Sequence, residues 1–254
     1  MVLDQDLVQS FARGLSVIRS FSADAPAQTL AAVARATGLP RATARRLLLT
    51  LEHLGYVRSE AGSFRLTPRV LEIGYAYLAS LNLASIAQPF LEAFSEKVRE
   101  STSVAVLDDC DIVYVARVAA KRIMTVSIGL GSRFPAYQTS LGRVLLAQLD
   151  DDEIVARMAR SGERARTTPL TVTTPEALRA RIAEVREQGW AMVDQELELG
   201  VRSLAAPLYD KSGVVAAINV STHIGRTGLD ELHERFLPAL RETASAISNA
   251  LKQR

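Results

Sequence analysis

The stretch Thr29–Val57, TLAAVARATGLPRATARRLLLTLEHLGYV, leaves this 254-residue chain the fewest ways to fold. Thr29 is placed to cap a short helix, LAAVARAT, with its hydroxyl facing free backbone N–H groups. Gly38 ends that helix and Pro40 falls in the first turn of the next. Two helices joined by a tight turn containing glycine form the helix-turn-helix pattern. After Gly55 the period changes from helical to alternating. Tyr56–Ser59 and Ser63–Leu66 flank Glu60-Ala61-Gly62, which predicts a hairpin turning near Gly62 and makes the pattern winged.

The flanks complete a small domain. Phe11–Phe21, FARGLSVIRSF, has apolar residues at 11, 15, 18 and 21, a helical stripe, and Ser22–Gln28 is a proline-containing loop. Thr67-Pro68 opens a helix over about 69–81, with Val70, Leu71, Gly74, Tyr75 and Leu78 on one side. The expected division is 1–68 for the winged domain, 69–82 for a linker helix and 83–254 for a second domain.

At 100° per residue, Leu47, Leu51 and Leu54 share one face of the second helix, with Ala44 and Thr43 at its edges. Arg41, Ala42, Arg45, Leu49, Glu52 and His53 lie opposite, and Arg46 at the margin. Leucines supply the core face, so the arginines answer to something outside the fold. Arginine at a helix N-terminus also opposes the macrodipole.

Charge distribution points the same way. The net charge is only +2, yet residues 10–68 carry eight arginines against Asp24, Glu52 and Glu60. Such an excess suits an anionic polymer. Arg41, Arg45 and Arg46 occupy the part of a recognition helix that meets base edges, with Ala42 suited to a thymine methyl and Thr43 beside it. Arg58 and Arg65 on the wing suit backbone phosphate. The expected partner is double-stranded DNA.

From Leu83 the pattern is α+β. Ile86–Arg99 is an amphipathic helix. Ser103–Leu107 and Ile112–Val118 form a hairpin around Asp108–Asp111, and Met124–Ile128 is a third strand. Thr139–Gln148 and Asp150–Ala159 read as helices, and Thr174-Pro175 caps another that stops at Gly189. Trp190–Asp194, Ser203–Tyr209 and Val214–Ser221 are strands, and Leu229–Lys252 a closing helix. Antiparallel strands with flanking helices give an α+β domain, hence a two-domain α/β chain.

Enzymatic motifs are missing. Gly129-Leu-Gly131 lacks the third glycine of a dinucleotide loop, with Phe134 in its place, and no nucleophile elbow surrounds Ser140 or Ser203. His53, His223, His233 and Cys110 show no metal-ligand spacing, so neither metal nor cofactor is expected. No apolar run approaches a membrane span, the N-terminus lacks signal-peptide character, and a single cysteine fits a reducing cytoplasm.

FARGLSVIRSF and LAAVARATGLPRATARRLLLTLEHLGYV closely resemble the DNA-binding half of IclR-type bacterial transcriptional regulators. GSRFPAYQTSLGRVLLA (131–147), GWAMVDQELELGVRSLAAPL (189–208) and AAINVS (216–221) look like that family's effector-domain motifs. The resemblance implies a GAF-like effector-binding domain, a homodimer or homotetramer, and an inverted-repeat operator. PAYQTSLGRVLLA looks most like the subgroup governing aromatic-acid catabolism through the β-ketoadipate pathway. By analogy with the effector motifs, Tyr137, Thr139, Ser140, Leu141, Asp194, Ser203, Asn219 and Ser221 are the residues for a small organic acid. Arg133, Arg143 and Arg202 are candidate cations, or ion-pair partners of Asp194, Glu196 or Glu198. The rival reading is a metabolite-binding protein or hydrolase whose N-terminal domain serves only in dimerisation.

Overall fold

The computed structural model describes residues 7–22, 24–120, 128–160 and 166–253. The chain divides into two compact units, Met1–Ser80 and Leu81–Arg254.

The first unit runs α1 (Gln9–Arg19), β1 (Ala27–Thr29), α2 (Leu30–Thr37), α3 (Arg41–His53), β2 (Val57–Glu60), β3 (Ser63–Leu66), a single 3₁₀ turn and α4 (Leu71–Leu81). Thr29 Oγ1 accepts from Ala32 N at 3.3 Å, capping α2. Gly38 closes α2 in the left-handed region, φ 66°, where a Cβ is unfavourable. Pro40 is the N-cap of α3. Ala61 and Gly62 both have positive φ, as a two-residue hairpin turn between twisted strands requires. Ala27 and Gln28, expected as the end of a loop, instead join Thr29 in a third strand of the wing, in the order β1-β3-β2.

The buried face of α3 is rotated from the expected one. Ala44, Leu48 and Leu51 enter the core, with Leu48 at 0% exposure, whereas Leu47 is half-buried and Leu54 is 48% exposed. A run of adjacent leucines satisfies the helical period in two phases. Leu54 lies beyond the last helical residue, where Gly55 (φ 81°) turns the chain, so helical phase no longer governs it. On α1 Val17 is buried, as is Phe21 just beyond its end, while Phe11 (67%) and Leu15 (40%) are exposed. On α4, Leu71, Gly74 and Tyr75 are exposed, as are Ile73 and Tyr77, and the Leu78 side chain lies outside the described residues.

The second unit is an antiparallel six-stranded sheet with helices on both faces, the α+β arrangement expected. Its strands are β4 (Ser101–Asp108), β5 (Asp111–Val118), β6 (Arg133–Pro135), β7 (Ala191–Asp194), β8 (Val201–Asp210) and β9 (Gly213–His223), ordered β6-β5-β4-β9-β8-β7. One face packs Val104, Leu204, Ile218 and Val220 against α5 (Leu83–Val98) and α10 (Leu237–Lys252). The short α9 (Leu229–Glu231) leads into α10 through a π-helical turn, Leu232–Phe236. The other face carries Ala105, Ala205 and Ala217 beneath α6 (Ser140–Leu146), and α7 (Asp151–Arg160) and α8 (Pro175–Gln188) complete that layer. Of the expected strand Met124–Ile128, residues 124–127 lie outside the described residues and Ile128 is not in a strand. The strand beside β5 is β6, paired through Ile112↔Phe134.

Candidate nucleic-acid interface and ligand pocket

Arg41, Ala42, Arg45 and Arg46 are exposed on α3, and Thr43 is half-buried. Arg58 and Arg65 sit directly opposite each other on the wing, both exposed. Facing like charges weaken a sheet, so this pair does not serve stability. None of these five arginines has an ion pair or side-chain hydrogen bond among the described residues. Glu52 on α3 instead ties the wing, accepting from Ser59 N at 3.0 Å and Ser59 Oγ at 2.5 Å. The result is one helix N-terminus and one hairpin presenting uncommitted guanidinium groups.

The second unit holds a cavity of about 260 Å³ on the α6 side of its sheet. Residues spaced by two along each strand share a face, so Ser101 and Ser103 of β4, Ser203 of β8, and Asn219 and Ser221 of β9 fall on the face toward α6. Register aligns Ser103 with Asn219, and Ser221 with both Ser101 and Ser203. From above, α6 brings Thr139 and Ser140, and Ser140 Oγ lies 2.9 Å from Ser203 Oγ. Thr139 caps α6 by accepting from Gly142 N at 2.9 Å. Gly142 lets the preceding 3₁₀ turn pack this closely, since a Cβ there would stand 2.1 Å from Ala136 O.

Five of the eight expected pocket residues therefore line the cavity: Thr139, Ser140, Ser203, Asn219 and Ser221. Three do not. The Tyr137 ring is buried in the core and its hydroxyl accepts from Gln138 Nε2 at 2.9 Å. Leu141, in the first turn of α6, is fully buried in the core. Asp194 accepts two 3.0 Å hydrogen bonds from Arg202 and borders a separate cavity. The three expected cations are likewise engaged. Arg143 is buried against Glu196 at 2.6 Å, Arg202 holds Asp194, and Arg133 bridges Asp108 and Asp111 of the β4–β5 hairpin.

The cation inside the cavity is Arg117, which sequence reasoning missed. A bulge at Val104/Ala105 shifts the register, so Ala105 opposes Tyr114 while Ser103 opposes Arg117. In a regular strand residues 114 and 117 point to opposite faces. The extra residue re-phases the strand and turns both into the pocket. Arg117 Nη1 donates to Ser103 Oγ at 3.1 Å and has no carboxylate partner among the described residues. Burial lowers the Arg117 pKa, and burial raises that of Tyr114, with the Arg117 charge opposing the latter. A half-buried, uncompensated cation calls for an anion. Arg226, at the cavity's edge, is held by buried Glu100 at 3.1 Å. Ile128, Val193, Leu197 and Val201 supply apolar wall. Among the described residues, no group of three or more His, Cys, Asp or Glu converges as a metal site.

Residues 10–61 match the IclR helix-turn-helix domain, and residues 75–249 match the bacterial transcriptional regulator IclR C-terminal family. The chain belongs to the IclR family. Its relatives include the Pca regulon regulatory protein of Pseudomonas putida, 47% identical over 93% of this chain and 82% of that protein. Another is the p-hydroxybenzoate hydroxylase transcriptional activator of Acinetobacter baylyi, 33% identical over 96% and 92%. A crystal structure of an IclR homolog from Microbacterium hydrocarbonoxydans complexed with 4-hydroxybenzoate matches with a TM-score of 0.84 at 27% identity, covering 96% of this chain and 100% of that one. The IclR relatives are transcriptional regulators, not enzymes, so the first unit is a DNA-binding module of a regulator and the hydrolase alternative is not favoured.

Proposed function

We propose that this IclR-family regulator binds an inverted-repeat operator through α3 and the wing, and that an aromatic carboxylic acid in the β4–β5–β9 pocket changes that binding. Arg41, Ala42, Thr43, Arg45 and Arg46 face the bases, while Arg58 and Arg65 hold phosphate. The pocket residues are Thr139, Ser140, Ser203, Asn219 and Ser221, joined by Arg117, which anchors the carboxylate. The single observation that carries the ligand class is Arg117: a cation that makes no ion pair among the described residues, in a cavity, lined also by Glu198, near the lower end of the usual ligand-site range of about 300–1,000 Å³. That size suits one ring. The names of the Pseudomonas and Acinetobacter relatives and the 4-hydroxybenzoate complex support the same class.

A palindromic operator requires a two-fold assembly. The exposed Phe11 and Leu15 of α1 and the exposed apolar residues of α4 supply surface for a second copy. The division 1–68, 69–82 and 83–254 is the working organisation, with the 69–82 helix as the link. No helix among the described residues is long and apolar enough to cross a membrane, in keeping with action in the cytoplasm. Gel-shift with the DNA upstream of its own gene and of neighbouring genes tests the proposal. Retardation altered by an aromatic acid is expected; no retardation at low salt with any of these fragments contradicts it.

A further inference from the structure

Two walls of the cavity come from separate stretches of the second unit. The 3₁₀ turn leading into α6 supplies Gln138, Thr139 and Ser140, and the loop between β7 and β8 supplies Leu197 and Glu198. Arg143 and Glu196 join these walls without lining the cavity. Arg143 is 1% exposed. Its Nε donates to Tyr137 O of the turn at 3.1 Å, and its Nη2 to Glu196 Oε2 of the loop at 2.6 Å.

Glu196 is fixed by a second stretch as well. The same carboxylate oxygen accepts from Val172 N at 3.0 Å, and Glu196 O accepts from Thr171 Oγ1 at 2.6 Å and Thr167 Oγ1 at 2.9 Å. Beside it, Gln195 has φ 61°, a conformation a non-glycine residue keeps only where its surroundings impose it, as at ligand clamps. Stability alone does not account for the pair. Removing two charges from water offsets most of what their attraction returns, and apolar residues of similar volume often serve stability as well. What apolar packing does not supply is a fixed spacing, which the rigid planar fork of Arg143 imposes between Tyr137 O and Glu196.

We propose that Arg143 and Glu196 are positioning residues of the pocket: the ion pair sets the separation of the 137–140 turn from the β7–β8 loop, and through it ligand affinity, without touching the ligand. The proposal rests on reading this cavity as the effector site and adds how its two walls are held at the spacing a ligand needs. Arg143, a ligand cation by resemblance, thus acts one step removed from the ligand. A preorganised site binds more tightly because less ordering is left for the ligand to impose.

Calorimetric titration of the full-length protein with 3-hydroxybenzoate, 4-hydroxybenzoate and benzoate tests this, at a temperature where circular dichroism shows each variant folded. The double variant Arg143→Met with Glu196→Leu removes both charges at similar volume and strands neither. It is expected to bind the acids about tenfold or more weakly, the scale on which groups one step behind a bound ion act. Its operator binding without acid should be unchanged. Arg143→Lys keeps the charge opposite Glu196 but loses the planar fork, and a smaller loss of about threefold is expected. A merely structural pair would lower the melting temperature and leave the folded protein's affinity as it was. Full affinity in the folded double variant therefore overturns the proposal. If the double variant does not fold, Arg143→Lys decides in the same way, and if neither folds the pair is structural and the proposal fails. If the unsubstituted protein binds the acids and the double variant binds them equally well, the pocket reading stands and only the positioning role fails. If the unsubstituted protein binds none of the three, both fail.

Discussion

Arg117 and Ser103 face each other across the β4–β5 pair, and the guanidinium donates to the serine hydroxyl at 3.1 Å. This pairing exists because the bulge beside Ala105 gives β5 one extra residue. Without the bulge the cation would point toward α5 and the cavity would be merely hydroxylic.

Replacing Arg117 with leucine is expected to abolish the response to aromatic acids while leaving basal DNA binding intact. Hydrogen bonds to a charged group contribute about 1.5–3 kcal/mol, so affinity should fall roughly ten- to hundredfold. Because Arg117 is half-buried and makes no ion pair among the described residues, the melting temperature should hold steady or rise. Acid-dependent gel-shift and a thermal melt on the same variant check both statements.

The rotated face of α3 separates two leucines that look alike in sequence. Leu48→Ala creates a cavity in the first unit's core and should cost about 2–5 kcal/mol. Leu54→Ala, at a largely exposed site after the helix, should change stability by about 0.5 kcal/mol or less. Chemical denaturation of the two variants gives the comparison, and equal losses would restore the face centred on Leu47, Leu51 and Leu54.

Arginines of the helix and of the wing should fail differently. Arg45→Ala should lose about 1–3 kcal/mol concentrated at one base pair, if it reads a guanine. Arg58→Ala or Arg65→Ala should weaken all sequences alike and reduce the salt slope by about one each. Either wing substitution also relieves the facing positive charges, so neither should destabilise the fold. Binding isotherms at several salt concentrations on operator and single-base variants distinguish the two classes.

Much of this architecture was legible in the residues. The Thr29 cap, the Gly38 stop, the Gly62 turn and the Thr174-Pro175 start all use local chemistry that the chain satisfies wherever it folds. Phase was less legible. Leu47 to Leu49 offer two equivalent stripes, and only contact with α1 and α2 decides between them. Within 137–141, Gln138, Thr139 and Ser140 reach the cavity while Tyr137 and Leu141 enter the core, a distinction that motif resemblance does not make. Arg117 was hidden by the bulge. Its one visible trace was a lone charge within the apolar run IVYVARV.

Gly142→Ala tests the support beneath the pocket. An added Cβ would overlap the backbone of Ala136, so the 3₁₀ turn carrying Gln138 must move. The substitution is expected to lower both stability and acid affinity, whereas a wild-type melt with wild-type affinity would show that the turn is not held there.

The most direct test of the whole account is calorimetric titration of a hydroxybenzoate into the full-length protein with and without its operator. If the acid acts by shifting the protein between DNA-competent and incompetent states, its affinity must change when DNA is present, reciprocally with its effect on DNA binding. A coupling of about 1–3 kcal/mol is predicted, a change of roughly five- to 150-fold. Binding of the acid with identical affinity in both conditions would contradict the account.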